Sequence, residues 1–159
     1  MEAAMPNPEL GRQVVIFRLG DGRYAVEIAA VREIIRPQPI TVVPLAPPFL
    51  VGVLNLRGSI VPVLDLRSRC GLAAALQTRE SRVVVVQVEG LTVGLQVDSV
   101  SEVVTLAPDC IEPAPNLTNG GQEQLLLGVA RLDQHLIMLL DLSAAVTTVG
   151  QATPVDAVA

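Results

Sequence analysis

The chain has 159 residues, half of them hydrophobic, and a formal net charge of −5 at pH 7. The length suits a single domain with a substantial core, and the hydrophobic content excludes intrinsic disorder for most of the chain. All eleven basic residues are arginine and only three residues are aromatic, so the sequence has neither the basic stripe nor the stacking surface typical of nucleic-acid binding. We therefore expect no nucleic-acid partner and an aliphatic core, rich in the β-branched residues that favour strands.

The first half of the chain contains an uncharged run, residues 37–56, that is long enough to cross a bilayer. Five prolines lie within its first twelve residues, and they exclude a continuous membrane-spanning helix because each removes a backbone donor. The N-terminal residues 1–13 carry acidic residues where an export signal has basic ones. We expect a cytoplasmic chain with no direct membrane insertion.

The sequence repeats itself in two blocks that recur in the same order. Residues 14–35 align without a gap with residues 83–104, and each block ends in valine, one residue, glutamate and two aliphatic residues. Residues 52–66 align in the same way with residues 128–142, and both segments close on Leu-Asp-Leu. The repeat predicts two halves of one design.

The predicted halves span about residues 13–67 and 82–143, and residues 68–81 link them. Each half contains several short strands separated by turns, a spacing typical of β-barrels and sandwiches, and is long enough for one small barrel. Valine runs that are apolar on both faces predict strands buried on both sides or lying between the halves. We expect flexible tails at residues 1–11 and 146–159.

Turn residues predict where the chain reverses. Gly20-Asp21-Gly22 and Glu89-Gly90 each separate two strand-like segments, which predicts two hairpins. Short helices are expected near residues 29–33 and at the C-terminus. The proline-rich residues 36–51 predict an extended loop, and the polar residues 107–124 a surface loop.

The sequence offers little for catalysis, and we expect no enzyme activity, metal or cofactor. Cys70 and Cys110 lie forty positions apart, outside any CxxC pair, and are expected to be free thiols. The single histidine, His135, follows a predicted turn and is expected to be solvated. Asp65 and Asp141 occupy equivalent places in the repeat, and we expect each to close its strand by accepting backbone N–H bonds.

Arg57 lies in an otherwise apolar segment, immediately before Gly58, which places it at or next to a hairpin tip. An unpaired guanidinium is costly to bury, so Arg57 requires a carboxylate or a partner. It is either a solvated turn residue or a charge on the rim of an apolar binding surface. The repeat has Asp133 at the equivalent position, so the fold does not require the positive charge, which favours a function.

Two strings in these segments resemble the CheW family of chemotaxis adaptors. Residues 55–66 contain the complete string N-L-R-G-x-I-V-P-V-x-D-L, and residues 97–103 contain V-D-x-V-S-E-V. The resemblance covers residues 12–145 and implies an all-β architecture with two five-stranded Src-homology-3-like barrels around a shared hydrophobic core. It implies no enzymatic activity. Proteins of this family link the cytoplasmic tips of chemoreceptors to the regulatory domain of a CheA-type histidine kinase in two-component signal transduction.

The resemblance also implies a binding site in this chain. Glu33 and Arg57 match an ion pair beside the receptor-binding groove of the family. The other matched residues either belong to the N-L-R-G string around Arg57 or occupy positions that are associated with partner binding in the family. Gly94 lies in the second half and the other matched residues in the first, which fits a groove between barrels. The implied receptor- and kinase-binding residues are Val31, Glu33, Gly52, Asn55, Arg57, Gly58 and Gly94. Self-association in receptor arrays is a further expectation.

Three alternatives remain open at this stage. Related adaptors serve twitching, gliding or second-messenger pathways, and the sequence does not distinguish these from swimming chemotaxis. A small ligand-binding β-barrel would need convergent polar groups in a pocket, which the apolar strands hardly supply. A fragment of a larger kinase would have the same fold.

Overall fold

The structure is a computed structural model that describes residues 12–47, 49–73, 75–113 and 125–146. The prediction of a mainly β protein with few short helices is confirmed. In chain order, the strands and the helix between them are β1 (Arg12–Leu19), β2 (Gly22–Glu27), β3 (Val31–Ile35), β4 (Leu50–Leu56), β5 (Ser59–Asp65), α1 (Leu66–Arg69), β6 (Arg82–Val88), β7 (Leu91–Val97), β8 (Ser99–Leu106), β9 (Ile111–Pro113), β10 (Leu126–Leu132) and β11 (His135–Leu140).

Four antiparallel hairpins have two-residue turns, and both hairpins predicted from Gly20-Asp21-Gly22 and Glu89-Gly90 are among them. The other two turns are Arg57-Gly58 and Asp133-Gln134. Both residues of each of these two turns have a positive φ, between 51° and 87°. This backbone suits a tight hairpin because it matches the right-handed twist of the strands that the turn joins.

The strands form two sheets that do not follow the two halves of the sequence. The first sheet has the order β8-β1-β2-β11-β10-β9, and the second sheet has the order β3-β6-β7-β5-β4. Each sheet therefore combines strands from both halves, which differs from our expectation that each half would build a barrel by itself. The repeat signals two equivalent units but carries no information about which hairpin pairs with which, because that choice depends on long-range burial.

The repeat survives as a pseudo-twofold relation between the sheets. By the repeat, β1, β2 and β3 correspond to β6, β7 and β8, and β4 and β5 correspond to β10 and β11. When each strand is replaced by its repeat partner, the order of the second sheet becomes the order of the first five strands of the first sheet. The single parallel pairing in each sheet is equivalent too: β2 pairs with β11, and β5 pairs with β7. The first sheet has a sixth strand only because β9 pairs with β10.

The core has three layers, which explains the strands that are apolar on both faces. In β1, Val14 and Ile16 face the interior of the first sheet, whereas Val15 and Phe17 face a cluster between the two sheets, here called the shared core. The shared core also receives side chains from the second sheet, and a third cluster lies inside that sheet. Alternate residues of one strand thus enter two different cores.

Several segments differ locally from the sequence predictions. The helix expected near residues 29–33 is one 3-10 turn at Ile28–Ala30, after which the chain enters β3. The expected surface loop at residues 107–124 begins with a 3-10 turn and β9. Residues 142–146 are helical, and Val146, which we expected to begin the flexible C-terminal tail, packs in the shared core at 3% exposure.

The described residues do not include 1–11, 114–124 and 147–159. Both expected tails therefore lie outside the described residues, with the exception of Val146. Among the residues that are described, no helix has the length and apolar character needed to cross a membrane.

The shared core should dominate the stability of the protein. Leu95 on β7 is fully buried in it, so Leu95→Ala should lower the free energy of unfolding by about 2–5 kcal/mol, through lost burial and the cavity left behind. Leu76 is 92% exposed, and the matched change Leu76→Ala should cost less than about 0.5 kcal/mol. Urea unfolding followed by circular dichroism measures both, and equal costs would contradict the assignment of the core.

Candidate functional site

Arg57 is the first residue of the β4–β5 turn, as its position before Gly58 predicted. The Oδ1 atom of Asn55 accepts a hydrogen bond of 2.9 Å from the backbone N–H of Gly58 and thereby fixes the turn. Asn55, Arg57 and Gly58 are all exposed. The turn therefore places the Arg57 side chain at the exposed tip of the hairpin.

Arg57 forms an ion pair with Glu33 on β3. The side chain of Arg57 is 70% exposed and that of Glu33 is 27% exposed. The hydrogen bond from Arg57 to Glu33, and then the charge of the carboxylate, raise the pKa of Arg57. Because β3 and β4 are the two outer strands of the second sheet, this contact means that the sheet curls until its edges approach each other.

A β-bulge at Arg32 determines where Glu33 points. Val31 pairs with Val86, whereas Glu33 pairs with the adjacent residue Val85, so the strand has one extra residue between them. Val31 and Val86 belong to the shared core, and Glu33 therefore lies on the opposite face, although residues two apart normally share a face. Strand β8 has the same bulge: Val100 pairs with Phe17, and Glu102 with Ile16. The valine–glutamate pattern common to both halves is the sequence signal of this bulge.

Three of the predicted site residues lie in one row across the second sheet. Successive strand pairings connect Glu33 to Val85, Val85 to Gly94, Gly94 to Val63, and Val63 to Gly52. Cross-strand neighbours share a face of the sheet, so this row places Glu33, Gly94 and Gly52 on one face. All of them belong to a single sheet, which differs from our expectation that Gly94, as part of the second half, would place the site between barrels.

Both glycines of the row are buried, and both have steric reasons to be glycine. A Cβ atom on Gly52 would lie 2.2 Å from the backbone oxygen of Thr41, and the φ of Gly52 is 155°. A Cβ atom on Gly94 would lie 2.8 Å from a methyl group of Val83. These positions therefore shape the sheet on which the ion pair sits, and neither glycine offers a side chain to a partner.

Both sheets expose aliphatic side chains at repeat-equivalent positions. Ile34 follows Glu33 and is 39% exposed, and Ile60 on β5 is 63% exposed. The repeat-equivalent residues on the first sheet, Val103 and Leu136, are 50% and 57% exposed. These two pairs were not among the predicted site residues, although the alignment of the halves contains them. Each sheet thus exposes aliphatic side chains at the same two positions of its architecture.

The two equivalent hairpin tips carry opposite charges. The tip of the β4–β5 hairpin carries Arg57, and the tip of the β10–β11 hairpin carries Asp133, each as the first residue of its turn. Both residues equivalent by repeat to the ion pair, Glu102 and Asp133, are acidic. The backbone is therefore pseudo-symmetric, but the charges at the two hairpin tips are not. Opposite charges allow a partner to distinguish one hairpin tip from the other.

The two repeat-equivalent aspartates close their strands as predicted. Asp65 Oδ1 accepts a hydrogen bond of 3.1 Å from the backbone N–H of Arg67, and Asp141 Oδ1 accepts one of 3.2 Å from that of Ala144. Each caps the helical turn that follows its strand.

The remaining candidates for chemistry show no catalytic arrangement. Cys70 and Cys110 are free thiols, and burial raises the pKa of Cys70 to about 11, so it is protonated at neutral pH. His135 is exposed at the start of β11. Within the described ranges, no three His, Cys, Asp or Glu side chains are grouped closely enough to hold a metal ion.

Comparison with known proteins identifies relatives of this chain. The sequence profile of the CheW-like domain matches residues 13–149. A probable chemotaxis protein CheW from Rhizobium etli is 37% identical over 133 residues, which cover 84% of this chain and 86% of the relative. Protein FrzA from Myxococcus xanthus is 31% identical over 151 residues, which cover 94% of this chain and 92% of the relative.

A solved structure shares the fold. The crystal structure of the scaffolding protein TtCheW from Thermoanaerobacter tengcongensis superposes with a TM-score of 0.77 at 34% sequence identity. The match covers 82% of this chain and 89% of the other.

The close contact of Gly52 with Thr41 predicts a strong effect of a single methyl group. Gly52→Ala should lower the free energy of unfolding by more than about 2 kcal/mol, because the added Cβ would overlap a backbone atom that cannot move independently. Gly71 has a φ of 83° but open space around it, so Gly71→Ala should cost only about 1 kcal/mol. Urea unfolding compares the two, and equal values would show that backbone conformation alone requires glycine at position 52.

Proposed function

The chain belongs to the CheW-like domain family, and on that premise we propose that it is a non-enzymatic adaptor that couples chemoreceptors to a CheA-type histidine kinase. A role as a chemotaxis scaffold agrees with the names of its relatives. The observation that carries the finer proposal is the ion pair between Glu33 on β3 and Arg57, which is 70% exposed at the tip of a hairpin whose turn is fixed by Asn55. Ile34, next to Glu33 in the sequence, is 39% exposed. Such a combination of a fixed charge and an exposed aliphatic side chain suits recognition of a protein surface.

The proposed receptor contact is centred on the ion pair. An exposed ion pair adds little affinity, because its charges remain solvated and screened by salt. Its proposed role is to orient the receptor tip and to reject partners of the wrong charge. Val31, Gly52 and Gly94 contribute indirectly in this proposal, since they set the shape of β3 and of the sheet behind it.

The proposed kinase contact uses the apolar surfaces of the sheets. Ile60 and Leu136 are exposed at equivalent places, and the family resemblance implies that the regulatory domain of the kinase has the same fold. A partner built on the same architecture can cover such surfaces with matching strands. Individual contacts of this kind are modest, and repetition in an array supplies the strength. The proposed location is the cytoplasm, at receptor arrays in the membrane.

Calorimetric titration against the kinase regulatory domain from the same organism tests the kinase contact. We expect saturable one-to-one binding that Leu136→Asp weakens at least about tenfold, because a charge is introduced into an apolar contact. Leu76→Asp is the matched control at an exposed position outside both sheets, and it should leave the affinity unchanged, as should Arg57→Ala. Equal weakening by both leucine variants, or no binding at high micromolar concentration, would refute the proposed surface.

Co-sedimentation with receptor-containing membranes tests the ion pair. Glu33→Ala should reduce receptor binding and kinase activation severalfold while leaving the midpoint of urea unfolding unchanged, because the pair is exposed. Glu27→Ala removes a carboxylate from another exposed ion pair, with Arg12, and serves as the matched control. Parallel loss of stability and coupling in Glu33→Ala would assign the pair a structural role instead.

A second candidate is an adaptor of a chemosensory pathway other than swimming. The relative that covers 94% of this chain is named FrzA rather than CheW, which supports keeping this candidate. Titration against the regulatory domain of each CheA-type kinase encoded in the same genome separates the candidates by which kinase binds.

A further inference from the structure

A small polar cavity lies where the linker between the two halves passes the β1–β2 turn. Its volume of about 340 Å³ falls within the range of small-molecule sites. The cavity is lined by Arg18 and Ser99, which pair across β1 and β8, and by Thr78, Glu80 and Ser81 of the linker. None of these residues belongs to the candidate functional site, so the cavity is a separate feature of the molecule.

One wall of the cavity is a network of bonds around Asp98. The Oδ2 atom of Asp98 accepts a hydrogen bond of 2.7 Å from the backbone N–H of Gly20 and one of 2.8 Å from Nη2 of Arg67. Its Oδ1 atom accepts from Nε of Arg67 over 2.9 Å. The third nitrogen of that guanidinium, Nη1, donates to the carbonyl oxygen of Ala73 over 2.8 Å. Arg67 and Asp98 therefore neutralise each other and build the wall, and neither has a charge left for a ligand.

A tight turn at residues 78–81 forms another part of the lining. The backbone N–H of Thr78 donates to Oγ of Ser81 over 2.8 Å, and the backbone N–H of Ser81 donates to the carbonyl oxygen of Thr78 over 3.1 Å. Oγ1 of Thr78 accepts from the backbone N–H of Glu80 over 3.1 Å. Both hydroxyl oxygens are thus held in place as acceptors, and their O–H protons remain available to a ligand. Ser81 is 5% exposed and is the single buried polar residue in the described part of the chain.

Two opposite charges at the cavity lack a partner among the described residues. The side chains of Arg18 and Glu80 form no hydrogen bond or ion pair there, either with each other or with a third residue. The bonds from Arg67 chiefly, and the charge of Arg18 least, lower the pKa of Asp98, because Arg67 already compensates that carboxylate. One cation and one anion therefore remain open to a ligand.

The fold does not require the positive charge at position 18. The repeat equivalent of Arg18 is Gln87, whose Oε1 atom accepts a hydrogen bond from Arg32. The equivalent position of the second sheet is thus neutral and bonded within the chain, whereas Arg18 is charged and lines a cavity. This difference indicates that Arg18 serves a purpose specific to the first sheet.

We propose that this cavity binds a small zwitterion of the free amino acid class. The guanidinium of Arg18 and the hydroxyls of Ser81 and Thr78 bind its carboxylate, and the carboxylate of Glu80 binds its ammonium group. An anion without an ammonium group would leave Glu80 unpaired, and a cation without a carboxylate would leave Arg18 unpaired. The site does not rest on the proposed function, because no residue of the proposed receptor or kinase contacts lines the cavity.

Titrations followed by the backbone amide signals in NMR spectra test the site with three probes. L-Alanine carries both charged groups, propionate lacks the ammonium group, and ethylamine lacks the carboxylate. We expect L-alanine to shift the signals of Gly20, Ser81 and Ser99 saturably at about millimolar concentrations, because so small a ligand makes few contacts. Propionate and ethylamine should bind at least about tenfold more weakly, because each pairs with only one of the two charges.

Substitutions of the two unpaired charges test the assignment of the residues. Arg18→Gln and Glu80→Gln should each weaken the binding of L-alanine at least about tenfold, and both side chains are exposed, so the fold should remain intact. The matched controls are Arg36→Gln and Glu102→Gln, which remove the same charges at exposed positions outside the cavity. Both controls should leave the affinity unchanged.

Four results would overturn the proposal. Absence of saturable shifts with every probe would exclude the site, and equal affinity for L-alanine and propionate, or for L-alanine and ethylamine, would exclude a zwitterionic ligand. L-Alanine binding that persists unchanged in Arg18→Gln and Glu80→Gln would place the ligand elsewhere. Equal weakening by the two controls would show that the net charge of the protein, and not this cavity, determines the affinity.

Discussion

The two sheets depend on one constraint, the burial of both faces of their central strands. Strand β1 sends alternate residues into the interior of the first sheet and into the shared core, and the valine run of β6 is buried throughout. A sheet with two apolar faces needs cover on both sides, as parallel sheets in other folds do. Each sheet therefore depends on the other to cover the face that points into the shared core.

Local features of this fold could be predicted from the sequence, because each depends on a few neighbouring residues. Hairpin turns followed from Gly20-Asp21-Gly22 and Glu89-Gly90, and the internal alignment correctly predicted that Asp65 and Asp141 are equivalent. The exchange of hairpins between the halves could not be predicted, since identical local patterns fit either pairing. Long-range burial decides between them, and periodicity alone does not report it.

The candidate site shows the same division between local and distant information. The position of Arg57 at a hairpin tip followed from Gly58, and its pairing with Glu33 came from family resemblance rather than from the residues themselves. The bond between Arg67 and Asp98 has no local signal, because the two residues are 31 positions apart and meet only when the sheets pack. The roles of Gly52 and Gly94 also become clear only in space, where each lies against a neighbouring atom.

The exchange of strands between the halves has a consequence for the origin of the molecule. Neither half contains all the strands of either sheet, so a half-length chain with this pattern could complete its sheets only by interweaving with a second copy. The pseudo-twofold relation is the symmetry that such a homodimer would have. Duplication and fusion through the segment that now joins β5 to β6 would convert that association into folding of one chain, at a high effective concentration. Such a fusion would also free the two copies to diverge, and one hairpin tip carries arginine where the other carries aspartate.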